Sequence, residues 1–192
     1  MIYRQNFAFY QKKTGNWLSY AKNCLFSGLV LLSLSVAQAE DSLPAEAVTL
    51  DKFPHTSLIS DDIRPFQLSS YKDQTALVIN FWATWCAPCI TELPELAEAA
   101  HKLDQDTIKV ILISVDRKGA EHARAFLRER GIEGPLFAYD PDNKWPRAIG
   151  LNGLPMTYLI SADQTKAYVI KGPASWADDA ILADVRRLIL PE

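Results

Sequence analysis

Between residues 76 and 82 the chain reads ALVINFW, with Asn80 the only polar position. Such a run lacks the in–out alternation of a half-exposed strand and predicts a strand buried on both faces, in the middle of a parallel sheet. Beyond it, Cys89, Leu93, Leu96, Ala100 and Leu103 recur at steps of four, three, four and three, the spacing of one buried helix face. IKVILISV, 108–115, is a second buried strand, and strand, helix, strand implies a right-handed crossover joining a parallel pair. AEHARAFLRERG reads as a helix ended by Gly131, while DNKWPRAIG is at most a short one because Pro146 has no N–H to continue it. MTYLI (156–160) and AYVIKG (167–172) predict a hairpin turning around Ala162, Asp163 and Gln164. A final helix follows a capping signal, Ser175 with Asp178, and buries Ile181, Val185, Leu188 and Ile189.

The front of the chain has less pattern. SLISDDIRPFQLS, 57–69, predicts a small N-terminal hairpin turning at Asp61 and Asp62. Residues 40–57, with Pro44 and Pro54 and no periodicity, read as a tether. The expectation is a single α/β domain over 58–192, with a mixed sheet and an inserted helix after the second core strand.

Charge divides the chain in two. Residues 1–39 hold four bases and no acid, whereas residues 40–192 hold the other 16 bases and all 23 acids, a formal charge of −7. That balance, without a Lys/Arg cluster, argues against nucleic-acid binding, which needs a basic surface for phosphates. The basic start leads into CLFSGLVLLSLSV, 24–36, and then AQAE, where Ala37 and Ala39 form an A-x-A site before Glu40. This is the tripartite pattern of a secretory signal. The apolar run has 13 residues, three of them serine, short of the roughly 20 a spanning helix needs; the long basic lead keeps an uncleaved membrane anchor as the alternative. Asn23 before Cys24 is neither Gly nor Ala, which argues against lipid attachment. Export places the protein in the periplasm and leaves Cys86 and Cys89 as the only thiols, in an oxidising compartment.

Those two cysteines could form a structural crosslink, half a metal site or a redox centre. A structural zinc needs four ligands; one C-x-x-C supplies two, and His55, His101 and His122 are isolated from one another and read as partly exposed surface residues. No metal is expected. A crosslink over two intervening residues closes almost no loop and restrains the unfolded chain little. Redox chemistry remains, and placement supports it. A Cys86 sulfur at the helix start meets free backbone N–H groups and the positive end of the helix dipole, which favour thiolate. Cys86 is then the nucleophile and Cys89, one turn further in, the resolving thiol. Pro88 is tolerated because the first turn needs no backbone donor, while Pro94 lies deeper and should kink the helix.

LVINFWATWCAPC resembles the active-site segment of thioredoxin-fold proteins, and within them the exported TlpA/ResA-like thiol-disulfide reductases, with their F-W-A-x-W-C-x-P-C form and following E-x-P. GLPMTYLI is similar to the family's G-x-P-T-x-x-x-I segment and KGPASWADD to a GPAEWAS-type stretch of TlpA-like members, so the resemblance spans roughly residues 54–190. It implies a thioredoxin-like three-layer fold. It implies that Pro155 is the cis-proline facing the disulfide and that the Leu154 backbone is free to pair with an extended substrate. Trp85, Ala87 and Pro88 would complete the contact surface, with Trp82 in the core. Thioredoxin itself has a buried aspartate where this chain has Asn80, and an amide exchanges no proton at ordinary pH. Glu92 matches a glutamate that ResA-like proteins place near the resolving cysteine, and partial burial would raise its pKa into the range useful for proton transfer.

Three functions fit the resemblance: dithiol reductant, dithiol oxidant and copper delivery with the two sulfurs as ligands. Copper-carrying relatives space their cysteines C-x-x-x-C and add a histidine near the cis-proline, and strong oxidants carry Pro-His between the cysteines. This chain has Ala87-Pro88 and no histidine in 150–160, so the reductant leads. A peroxide-reducing role is weaker still, because Ala83-Thr84-Trp85-Cys86 does not reproduce a T-x-x-C setting. The implied cofactor is nothing beyond the Cys86–Cys89 disulfide. The implied partners are protein clients with disulfides or thiols and a membrane thiol-electron donor, approached by a monomer. Clients in the family include apocytochrome c and copper-site assembly factors of cytochrome oxidase. Met156 after the proline, in place of the acidic residue frequent in the cytochrome c branch, leans toward copper-site assembly.

Overall fold

The computed structural model describes residues 42–62 and 64–191, so the expected signal segment, 1–39, lies outside the described residues. Strand β1 is Ala45–Ala47 and β2 Ile59–Ser60; β3, Ala76–Trp82, leads into helix α1, Ala87–Asp104, and β4, Ile108–Ser114. Helix α2, Ala120–Glu129, β5, Leu136–Tyr139, and α3, Lys144–Ile149, follow, and then β6, Met156–Ile160, β7, Ala167–Lys171, and α4, Asp179–Ile189. The strands form one mixed sheet in the order β1-β7-β6-β3-β4-β5-β2. β3, β4 and β5 run parallel, and every other pairing is antiparallel.

β3 occupies the centre that its continuous apolar run demands: all seven residues are buried, with β4 on one side and β6 on the other. Alternation along the strand sorts its side chains between two layers. Asn80 reaches Glu92 of α1 and Trp82 packs on Phe126 of α2, which puts both helices over the Val78–Asn80–Trp82 face. Phe81 points to the other face and meets Tyr158, in an aromatic cluster with Phe53, Phe66 and Trp145 of α3. This is the three-layer, thioredoxin-like arrangement expected. In α1 the five periodic positions from Cys89 to Leu103 are all buried. The helix is helical on both sides of Pro94, which removes only the donor to the Ile90 carbonyl.

The stretch 40–57 is not a free tether in its described part: Ala45–Ala47 pairs with Tyr168–Ile170, and Leu43 and Phe53 are buried. The exposed edge of β7 offers backbone partners, and the Trp145 and Tyr158 rings offer Phe53 an apolar seat, neither of which has a local sequence signal. The front hairpin reduces to one antiparallel bridge, Leu58 with Phe66, because Ile59–Ser60 pairs with β5 instead and covers that edge. β5 itself has no counterpart among the expected strands; its four residues after Gly134-Pro135 are too few to display a period. At α4 the cap is Asp178, accepting from the Ala180 N–H at 2.9 Å, whereas Ser175 contributes its carbonyl to the Asp178 N–H. Leu188 is half-buried and Leu182 takes the fully buried place beside Ile181 and Val185.

Candidate active site

The end of β3 and the start of α1 place the two sulfurs. Cys86 is the N-cap, with extended backbone, and its Sγ accepts the Cys89 N–H at 3.3 Å, so the sulfur satisfies a donor that the helix itself leaves free. Cys86 and Cys89 are joined as a disulfide. Cys89 is fully buried while Cys86 keeps a little exposed surface beside Trp85, which is 68% exposed. Trp82 is wholly buried, as expected of a core residue.

The turn between strand and helix is held from behind by a carboxylate that no sequence pattern singles out. Asp116, buried just past β4, accepts from both the N–H and the Oγ1 of Thr84, at 2.7 and 2.6 Å. Thr84 Oγ1 spends its proton on Asp116, so the His122 Nε2 at 3.2 Å is the donor in that pair. His122 is thus a half-buried support of the turn rather than a simple surface residue. A buried acid after a strand has no visible partner in sequence; here the partner lies 32 residues away.

Glu92 lies one turn below Cys89, almost wholly buried. Asn80 Nδ2 donates to its Oε1 at 2.8 Å, and Trp176 Nε1 and the Ala174 N–H donate to Oε2 at 3.2 and 3.4 Å. Burial raises its pKa to about 7, with the donors from Asn80, Trp176 and Ala174 pulling the other way and the charge of Glu95 adding a smaller upward push. Asn80 also donates to Thr157 Oγ1 at 2.9 Å, and its own Oδ1 has no partner among the described residues. Rotation of that amide would turn a free acceptor toward a protonated Glu92. The acid lines a cleft of about 360 Å³ with Thr91, Glu95 and Pro173, which gives it a way to exchange protons with solvent. Trp176→Phe removes one donor to the carboxylate, so Glu92 should titrate higher in that variant, a shift that carboxyl-carbon NMR reads directly.

On the other side of the disulfide, a cleft of about 620 Å³ is lined by Trp85, Cys86, Ala87, Pro88 and Leu154. The structure therefore brings together the residues expected to contact a substrate. The Leu154–Pro155 peptide is cis, as the resemblance implied. The Leu154 N–H and carbonyl take no hydrogen-bond partner among the described residues, whereas the Pro155 carbonyl accepts the Gly172 N–H at 3.0 Å. Met156 after it is buried in β6 against Phe81. Chemically, the arrangement offers one sulfur at a helix terminus bordering a groove, one wholly buried sulfur, an acid of near-neutral pKa behind it, and backbone unpaired among the described residues beside that groove.

Residues 49–169 match the model of the AhpC/TSA family. The chain belongs to that family. Within it, the chain is 30% identical over 125 residues to the thiol:disulfide interchange protein HelX of Rhodobacter capsulatus, covering 65% of this chain and 67% of HelX. To the thiol-disulfide oxidoreductase ResA of Bacillus subtilis it is 27% identical over 139 residues, 72% of this chain and 74% of ResA. Among solved structures, a thioredoxin-family thiol:disulfide interchange protein from Chlorobium tepidum superposes with a TM-score of 0.58 at 26% identity, over 71% of this chain and 94% of that one. With this fold and its Cys86–Cys89 pair, the chain is a thiol:disulfide oxidoreductase of the TlpA/ResA-like kind within the AhpC/TSA family.

Proposed function

We propose that this AhpC/TSA-family oxidoreductase is exported and works as a dithiol reductant of disulfides in periplasmic or membrane-associated protein clients. In the reduced protein the Cys86 thiolate attacks one sulfur of a client disulfide; that S–S bond breaks, a Cys86–client mixed disulfide forms, and the departing client thiolate takes a proton. Cys89 then gives its proton to ionised Glu92 and attacks the Cys86 sulfur. The mixed disulfide breaks, the second client thiol is released, and the Cys86–Cys89 disulfide present in this structure is the product. Two electrons pass to the client in each cycle, and a membrane thiol donor must restore them. The client lies along Trp85, Ala87 and Pro88, with its backbone paired to Leu154 above Pro155.

The observation that carries this reading is the division of labour around the disulfide: Cys86 opens on a groove, while Cys89 is sealed above an acid whose pKa is about 7. Reduction rather than oxidation follows from the residues between the cysteines. Ala87 and Pro88 place no cationic side chain between the cysteines, where strong oxidants of this fold carry a histidine, so the dithiol gives up electrons more readily than theirs. Export rests on the signal-like pattern of residues 1–39. Met156 leans the client toward copper-site assembly of cytochrome oxidase, with apocytochrome c as the second class.

Replacement of Cys89 by Ser should stall the cycle at the mixed disulfide. Expressed in its own host, that variant should accumulate adducts that reducing agent releases, and mass spectrometry should identify exported clients with paired cysteines. Adducts confined to cytosolic proteins, or none at all, would contradict the proposal.

A further inference from the structure

The groove beside Cys86 carries a charge at odds with the rest of the protein. Its lining includes Arg117 and Arg147 and no Asp or Glu, in a region of the chain whose formal charge is −7. Arg117 follows the Asp116 that holds the active-site turn, and Arg147 projects from α3, whose N-cap Asn143 donates to the Val115 carbonyl at 3.2 Å and so ties that helix to the same segment. Both are exposed. Neither has a carboxylate partner among the described residues, although Arg124, Arg130, Arg186 and Arg187 each have one. Arg147 spends one N–H on the Asp142 carbonyl, which leaves the rest of its guanidinium fork free, and the Asp142 carboxylate is taken by Lys144 at 3.1 Å.

We propose that Arg117 and Arg147 select client segments that carry a carboxylate within a few residues of the target cysteine. The inference rests on the dithiol reading above, since it assigns the groove to the client of that chemistry. A client strand paired with the Leu154 backbone advances about 3.3 Å per residue, so acidic side chains within about three residues of its cysteine come within reach of the two guanidinium groups. Arginine suits the task, because its planar fork grips a carboxylate through two parallel hydrogen bonds. The rest of the acidic surface repels such a client only weakly beyond about 10 Å at ordinary salt, whereas the two arginines act at contact. The pair therefore sets choice and orientation among clients rather than the chemistry of exchange.

The test uses two synthetic peptides of roughly ten residues, each with a single cysteine capped as its neutral 2-pyridyl disulfide. One has Asp two positions before and after the cysteine; the other has Asn. The reduced protein's kcat/KM on each, divided by the rate with dithiothreitol to remove intrinsic reactivity, gives a preference ratio. Two exposed ion pairs should make that ratio about three- to twenty-fold in favour of Asp at low salt, and smaller as salt is added. In the Arg117→Gln, Arg147→Gln double variant it should fall to within about two-fold of unity. Arg128→Gln, which removes an equal charge from an exposed arginine of α2 that has no carboxylate partner among the described residues, should leave the ratio as it is. A wild-type ratio near one, a ratio that survives the double substitution, or an equal fall in Arg128→Gln would overturn the inference while leaving the dithiol reading intact. No exchange with either peptide would overturn both.

Discussion

Cys86→Ser should reduce disulfide exchange to the uncatalysed background, whereas Cys89→Ser should still complete the first step and stop there. The asymmetry follows from the geometry. Cys86 caps the helix, its sulfur accepts the Cys89 N–H, and it borders the groove; Cys89 has no accessible surface. A thiolate at that terminus gains from the free N–H groups and the helix dipole together, and a serine hydroxyl at the same place is not ionised near neutral pH. In the reduced protein Cys86 should therefore alkylate first with iodoacetamide, with a rate that rises through a pKa below the value of about 8.5 usual for a free thiol, and Cys89 should lag. Mass spectrometry of partly alkylated protein distinguishes the two sites, and a faster Cys89 would reverse the assigned roles.

The oxidised protein should lose about 3 kcal/mol of stability between about pH 4.5 and pH 8, and Glu92→Gln should abolish most of that slope. Glu92 has a folded-state pKa of about 7 against an ordinary value of 4.5, because burial penalises its charge. Between those values the native state holds a proton that the unfolded chain has already released, so unfolding releases a proton and each rise in pH favours the unfolded state. The contribution is complete below about pH 4, declines through the window and is spent above the folded pKa; at about 1.36 kcal/mol per unit the total is about 3 kcal/mol. The lowered carboxylates act in the opposite sense and further toward acid: Asp163, held to about 2 by Ser161 and Thr165, adds stability as pH rises through the range below its ordinary value of 3.8. Urea titrations at a series of pH values give the slope. The amide introduced by Glu92→Gln can set its NH₂ group against the Trp176 and Ala174 donors, so the variant should also be less stable than the parent at about pH 4.5, where the parent is protonated, and close to it at about pH 8. A parent slope that persists in the variant would assign the titration to another group. The same substitution should slow exchange near neutral pH without preventing it, because Cys89 loses its proton acceptor but not its position.

Much of this site is legible in the amino-acid sequence, and the reason is local. Cys86, Ala87, Pro88, Cys89 and Glu92 lie close together on one strand–helix junction, and helical spacing alone puts Cys89 and Glu92 on the same side. Pro155 and Leu154 are distant in sequence, and they are legible only through the resemblance of the surrounding segment. What stays hidden is what depends on pairing across the fold. Trp176 reaches Glu92 over 84 residues, Asp116 reaches Thr84 over 32, and neither has a neighbour in sequence that hints at its partner. β1 and β2, three and two residues long, are strands only because the edges of β7 and β5 are there to receive them. Phe53 reads as part of a loose leader because the Trp145 and Tyr158 rings that supply its seat lie far along the chain.

Electrons should flow from the Cys86–Cys89 dithiol to the client, and equilibration of the pair with a graded series of reduced and oxidised glutathione measures that direction. Strong oxidants of this fold, in which added cationic stabilisation of the thiolate favours the reduced form, lie near about −120 mV, and thioredoxin lies at about −270 mV. With only Ala87 and Pro88 between the cysteines and the first sulfur at the helix N-cap, the potential should fall on the thioredoxin side of that interval. A value near the oxidant end would contradict it, and would make this protein a donor of disulfides rather than a reductant of them.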